Sequence, residues 1–198
     1  WDVIKKTNSC AVIKYEHNSN AFGWPWNYQA KQSLSLKDLE CTIDLTVKNK
    51  SNMNMPFGFG IHPFFNFDDE IVLKFKAERE WIGPPEDFPI KTKLVKNNFN
   101  INDGNKLWKL EKTVCYENFE GEVQISWVNK NKMIKINADK IFNHLIVHVP
   151  KGGKYFCIEP VSHPTDSFNL VDKKIENIKN QFLKPNESFT GSIKIVVN

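Results

Sequence analysis

Turn-forming residues cut this chain into short segments of alternating, β-branched or aromatic character, and few folds accommodate that pattern. Cys10 to Tyr15, Thr42 to Lys48, Ile71 to Lys76, Val123 to Val128, Met133 to Ala138, Leu145 to Val149, Tyr155 to Ile158 and Ser192 to Val197 each read as a strand. Turn signals fall between them at Asn18-Ser19-Asn20, Lys48 to Asn52, Asp103-Gly104-Asn105, Asn129 to Asn131, Lys151-Gly152-Gly153 and Pro185-Asn186. The spacing predicts an all-β sandwich or barrel. Only Lys173 to Phe182, with Ile175, Ile178 and Phe182 at near-helical spacing, predicts a helix, of one or two turns. No repeat, linker or composition shift marks a boundary, so residues 1–198 are expected to form a single domain.

Composition narrows the function. With 198 residues, 40% of them hydrophobic and 25% charged, the chain can bury a core without staples and is neither fibrous nor largely disordered. No apolar run reaches the roughly 20 residues that span a bilayer; Phe142 to Pro150 is interrupted by His144 and His148. No membrane partner is expected. The net charge of +4 comes from scattered lysines, and Arg79 is the only arginine. That argues against nucleic acid, whose binders gather charge on one face and use arginine forks. Cys10, Cys41, Cys115 and Cys157 form no C-x-x-C pair and predict reduced, largely buried thiols in a cytoplasmic protein. The sequons at Asn49 and Asn186 carry little weight in an Asn-rich chain.

Most catalytic signatures fail. His144 and His148 would share a helix face for zinc, but HLIVHVP reads as a strand, where four residues span about 13 Å, too far for two bonds of about 2 Å. On a strand they share a face with Ile146 and can touch a polar ligand if that face lines a cleft; a solvated face is the alternative. There is no G-x-S-x-G elbow, no cysteine with a neighbouring histidine, and no helix after Phe57-Gly58-Phe59-Gly60 to cradle a phosphate. Aromatic residues gather at Phe22 to Tyr28 and Phe57 to Phe67, as core or as a platform for the C–H face of a sugar. Trp26 and Phe64 are the candidate substrate-stacking rings. Two segments remain. In Met55 to Phe65, His62 sits among glycines and aromatics before Pro63, which biases it to an extended backbone. In Tyr155 to Asn169, Glu159 ends an apolar strand, where burial would raise its pKa toward a general base's range unless a structural salt bridge or cap holds it.

Those segments carry a resemblance. GWPW with Tyr28 and Ala30, MPFGFGIHPFF at Met55 to Phe65, YFCIEPVSHPTDSFN at Tyr155 to Asn169 and FLKPNESFTG at Phe182 to Gly191 occur in that order. Together they resemble the bacterial branch of the aldose 1-epimerase (galactose mutarotase-like) family, over essentially the whole chain. The resemblance implies an antiparallel β-supersandwich with an open sugar cleft, a cofactor-free and metal-free acid/base reaction on a small-molecule sugar, and a monomer or homodimer. It also implies Glu159 as catalytic base, His62 as catalytic acid, and His148, Phe64 and Trp26 in the substrate cleft. Three features depart from the family. Its upstream segment, with a further His and an Arg, ends near a Trp that Trp1 resembles, so the chain is expected to correspond to the C-terminal two-thirds of the family's domain. Thr113 stands where an Asp is usual, and Asn186 where a Gly is common. A non-catalytic carbohydrate-binding module and a hexose-6-phosphate 1-epimerase are the alternatives, the latter disfavoured by the single arginine. Glu159 and His62 are expected on opposite sides of one cleft, a sugar ring apart, with His148 and Ile146 facing that cleft while Leu145, Val147 and Val149 pack in the core.

Overall fold

A computed structural model describes residues 1–19, 23–67, 70–83, 89–95, 100–101 (backbone only), 107, 111–175 and 181–198. The strands are β1 (Asp2–Lys6), β2 (Cys10–His17), β3 (Tyr28–Lys37), β4 (Glu40–Asn49), β5 (Met55–Phe57), β6 (Phe64–Asn66), β7 (Ile71–Phe75), β8 (Arg79–Ile82) and β9 (Lys91–Leu94). They continue with β10 (Asn100–Ile101), β11 (Thr113–Glu117), β12 (Glu122–Trp127), β13 (Lys132–Ala138), β14 (His144–His148), β15 (Tyr155–Val161), β16 (Gln181–Leu183) and β17 (Ser188–Val197). One short helix, α1 (Ser167–Asp172), lies between β15 and β16. The all-β expectation holds, and every segment read as a strand from sequence is one.

A nine-stranded sheet runs β1-β2-β3-β4-β17-β13-β12-β7-β10 and a six-stranded sheet runs β6-β15-β14-β11-β8-β9. The strand pairs are antiparallel. The core fills the space between β7, β12, β13 and β17 of the first sheet and β11, β14 and β15 of the second. Ile71, Leu73, Val123, Ile125, Ile136 and Ile193 meet Leu145, Val147, Phe156 and Ile158 there, all at 1% exposure or less. Alternation explains the arrangement, since Leu145, Val147 and Val149 point inward from β14 as expected and the residues between them point out.

Local chemistry sets the turns. Asn131, Gly152 and Asn186 occupy left-handed conformations at φ 49°, 61° and 64°, where glycine and asparagine are least strained. The turn expected at Asp103-Gly104-Asn105 lies outside the described residues, as does Asn20. The helix expected over Lys173 to Phe182 is corrected. The chain is helical earlier, at Ser167–Asp172, while Gln181–Leu183 pairs with Met55–Phe57 as a two-stranded ribbon; residues 176–180 lie outside the described set. Phe182 is therefore a strand residue, held by β5 rather than by helical neighbours. Asn49, one of the two sequons, is fully buried, and its side chain donates to the carbonyls of Met53 and Leu183.

Candidate active site

The six-stranded sheet has one face in the core and one turned away from it, and the second carries the polar chemistry. Register settles which residues share it. Ile146 pairs with Glu159, His148 with Cys157 and with Thr113, Cys115 with Ile146, and Phe64 with Cys157. Paired residues point to the same side of a sheet. Glu159, Cys157, Tyr155, His148, Ile146, Thr113 and Phe64 are thus one surface, and the expectation that His148 and Ile146 face Glu159 is met.

His62 reaches this surface from the neighbouring loop. Phe59 N–H donates to Ser162 Oγ at 2.9 Å, Ser162 N–H to the Phe59 carbonyl at 3.0 Å, and Ile61 N–H to the Pro160 carbonyl at 3.3 Å. These bonds zip residues 59–61 along the end of β15. Pro160 fits because a strand residue's nitrogen and carbonyl point the same way, so the missing N–H faces this loop and the ladder to β14 is intact. Gly60 bridges to Val161 so closely that a Cβ would lie 2.5 Å from Val161 Cγ1 and 2.7 Å from the Pro160 carbonyl. Glycine lets the two backbones touch here.

That contact delivers His62 Nε2 to 3.4 Å from Glu159 Oε1. The Glu159 side chain is 10% exposed, whereas the His62 side chain is 56% exposed. Burial raises the Glu159 pKa, and His62 partly opposes the shift. The two groups share one face, but the expected placement on opposite sides of a cleft, a sugar ring apart, is not met: they are in contact. The His62 ring stacks on Phe64 at 4.8 Å and 14°, Phe64 leans on Tyr155 at 5.1 Å, and Tyr155 lies 6.4 Å from His148. Phe64 is 63% exposed, so its ring faces outward. Thr113 Oγ1 and His148 Nδ1 are hydrogen-bonded at 2.7 Å. Thr113, where the resemblance led one to expect an aspartate, therefore touches His148 directly.

Trp26 belongs to a different group of rings, 5.0 Å from Trp24, which in turn meets Phe168 of α1 at 5.7 Å. Its Nε1 is buried without a partner, and among the described residues no ring contact joins it to Phe64 or His62. Beside this group lies a surface cavity of about 490 Å³, lined by Trp24, Tyr28, Phe57, Phe59, His163 and Phe168 among others, and it does not include Glu159, His62 or His148. Next to the site, His144 is buried with Nδ1 2.7 Å from Asn143 Oδ1 and Nε2 unpartnered. Burial, assisted by His163, lowers its pKa to about 4. The cysteines are all free thiols. Cys115 and Cys157 are buried, as expected, and burial pushes them up to about 12 and about 11; Cys10 and Cys41 are only half-buried.

Sequence reasoning passed over Tyr155 and Cys157 as site residues. Counting back from Glu159 in steps of two reaches both, which is the signal that was available. Among the described residues no helix is long and apolar enough to cross a membrane.

Comparison with known proteins agrees with the architecture. The structure superposes on a candidate aldose 1-epimerase of Escherichia coli K12 with a TM-score of 0.83 at 20% identity, covering 100% of this chain and 68% of that one. A galactose mutarotase-like protein of Clostridium acetobutylicum gives a TM-score of 0.82 at 20% identity, covering 100% and 66%. The protein YphB of E. coli K12, itself uncharacterised, is 26% identical over 82 residues, which is 41% of this chain and 27% of YphB. The chain thus spans about two thirds of the solved structures it resembles, and the YphB match spans much less. The fold is the antiparallel β-sandwich of galactose mutarotase-like proteins, and since the aldose 1-epimerase family model matches residues 1–196, the chain belongs to the aldose 1-epimerase family.

Proposed function

We propose that this protein is an aldose 1-epimerase interconverting the α and β anomers of a free aldose, with Glu159 as base and His62 as acid. The 3.4 Å contact between a buried carboxylate and an exposed imidazole beside an outward-facing aromatic ring carries this reading. The two oxygens that exchange protons during mutarotation, the anomeric hydroxyl and the ring oxygen, are bonded to the same carbon. An acid and a base serving them therefore need to stand only a few ångströms apart, not at opposite edges of the ring. Glu159 takes the proton from the hydroxyl at C1 while His62 donates one to the ring oxygen, and the C1–ring oxygen bond breaks to leave the aldehyde. Rotation about C1–C2 presents the other face, and reclosure with the two groups in exchanged roles returns both protons. No cofactor is needed. Phe64 and Tyr155 offer flat faces to sugar C–H groups, and His148, held by Thr113, offers a polar contact from the next strand.

A free sugar is favoured over a sugar phosphate because Arg79, the single arginine, is already engaged. Its Nε donates to Thr92 Oγ1 at 2.7 Å and lies 3.7 Å from Glu117. A non-catalytic sugar-binding module is favoured by one observation, that Glu159 and His62 already contact each other at 3.4 Å. Polarimetric mutarotation of α-glucose and α-galactose separates these. Glu159→Gln and His62→Asn should each lower the rate per folded molecule by about 10² to 10⁴, the usual contribution of an acid/base group, with sugar affinity largely kept. An unchanged rate in Glu159→Gln overturns the mechanism.

A further inference from the structure

We propose that His62, Cys157 and Glu159 form an inhibitory binding site for zinc. Their donor atoms, an imidazole nitrogen, a thiol sulfur and a carboxylate oxygen, all lie within 4.8 Å of one another. Among the described residues this is the one group of three such donors. Tetrahedral zinc with bonds of about 2.0 to 2.3 Å holds its ligand atoms roughly 3.3 to 3.8 Å apart. The His62–Glu159 distance of 3.4 Å is already in that range, and closing the others needs a shift on the order of one ångström. The backbone that carries Cys157 and Glu159 is fixed, because they sit two residues apart on one face of β15, a strand paired on both sides at Cys157. His62 can move: its side chain is more than half exposed and its ring is held chiefly by stacking on Phe64.

The ligand types choose the metal. A thiolate with an imidazole selects a borderline ion such as zinc over calcium or magnesium, which take oxygen ligands. Three protein ligands leave the fourth position to water or to a sugar hydroxyl. On binding, the Cys157 S–H bond gives way to S–Zn and the proton leaves to solvent, while the Glu159 and His62 lone pairs become bonds to zinc. Both groups assigned to proton transfer are then occupied. The inhibitory consequence rests on the proposed acid/base roles; the metal site itself does not.

The test titrates the chain with ZnCl2 against a chromophoric zinc chelator and, separately, with CoCl2 while watching for the ultraviolet thiolate-to-cobalt charge-transfer band. One zinc per chain and a thiolate band are expected. Cys157→Ser and Glu159→Gln should each weaken zinc binding at least about tenfold, since even outer-shell changes cost that much. ZnCl2 should stop mutarotation and EDTA restore it, and whatever turnover Cys157→Ser retains should persist at zinc concentrations that silence the parent. Absence of stoichiometric binding, cobalt bound without the thiolate band, or Cys157→Ser binding zinc as the parent does would each overturn the site. If Cys157→Ser melts out, the cobalt band of the parent decides. A chain that binds zinc this way yet shows no mutarotation leaves the site standing and removes the enzymatic reading.

Discussion

At the scale of single residues, Glu159 is a carboxylate kept in an unfavourable place. Its pKa is raised in the fold because desolvation outweighs the attraction of His62, so folding favours the neutral acid. The stabilisation associated with that neutral form is complete below the ordinary carboxylate pKa and is lost as pH rises through the folded one. At neutral pH the ionised group is therefore a net burden on the fold, and glutamine, which keeps the shape without the charge, removes it. Glu159→Gln is expected to melt at a higher temperature than the parent at pH 7, with the difference shrinking as pH falls toward 4.5. Melting curves of both proteins across that interval check this. A lower melting temperature at pH 7 would make Glu159 a structural ion-pair member. The same raised pKa should move the acidic limb of any mutarotation pH profile above the ordinary carboxylate range.

At the scale of elements, the site depends on how closely the loop after β5 can lie against β15. Gly60 is the point of nearest approach, and a methyl group there would strike backbone as well as Val161. Gly60→Ala should cost about 1 to 3 kcal/mol, as overpacking does, and should also lift His62 away from Glu159. Gly191→Ala is the matched control. Its Cβ would crowd Ile141 and Phe142 at 2.9 Å rather than β15. Both variants are expected to melt earlier, but only Gly60→Ala should lose activity per folded molecule. Equal rates in the two would mean that the loop reaches its position without that contact. The turn at Gly152 tolerates more, since a Cβ there would meet nothing within 4 Å and only its positive φ constrains it.

At the scale of the whole molecule, burial is unevenly shared. β1 has no buried residue, β2 only His17, β3 none and β4 only Asn49, whereas β7, β12 and β14 alternate into the core and β11 and β15 are buried through consecutive residues. The β1–β4 half of the large sheet is held by its ladder hydrogen bonds and by half-buried side chains. Stability follows buried apolar contact, so local opening should cost less there. Native-state hydrogen exchange should find amides of β1–β3 exchanging through openings well below the global unfolding free energy, while those of β7, β12, β14 and β15 exchange only on global unfolding. Uniform protection across both groups would contradict the burial pattern.

The strands with strong two-residue alternation and the turns at Asn131, Gly152 and Asn186 were legible in the sequence, because each depends on side-chain direction or backbone φ within a few residues. The motifs around His62 and Glu159 were legible too, and with them the family. β3 was not: Tyr28–Lys37 is rich in Gln, Lys and Ser, with little strand preference of its own, and pairing with β2 and β4 on its two sides makes it extended. Gln181 and Phe182 mimicked the end of a helix for the same reason, since only the pairing of Gln181–Leu183 with Met55–Phe57 selects the strand. The spacing of the acid and base lay further from view. Alternation says which face Glu159 takes but not what stands opposite it, and the 3.4 Å contact with His62 comes from a backbone approach at Gly60 between segments far apart in the chain. Local periodicity encodes direction, whereas distance between remote residues exists only once the sheets have closed on their core.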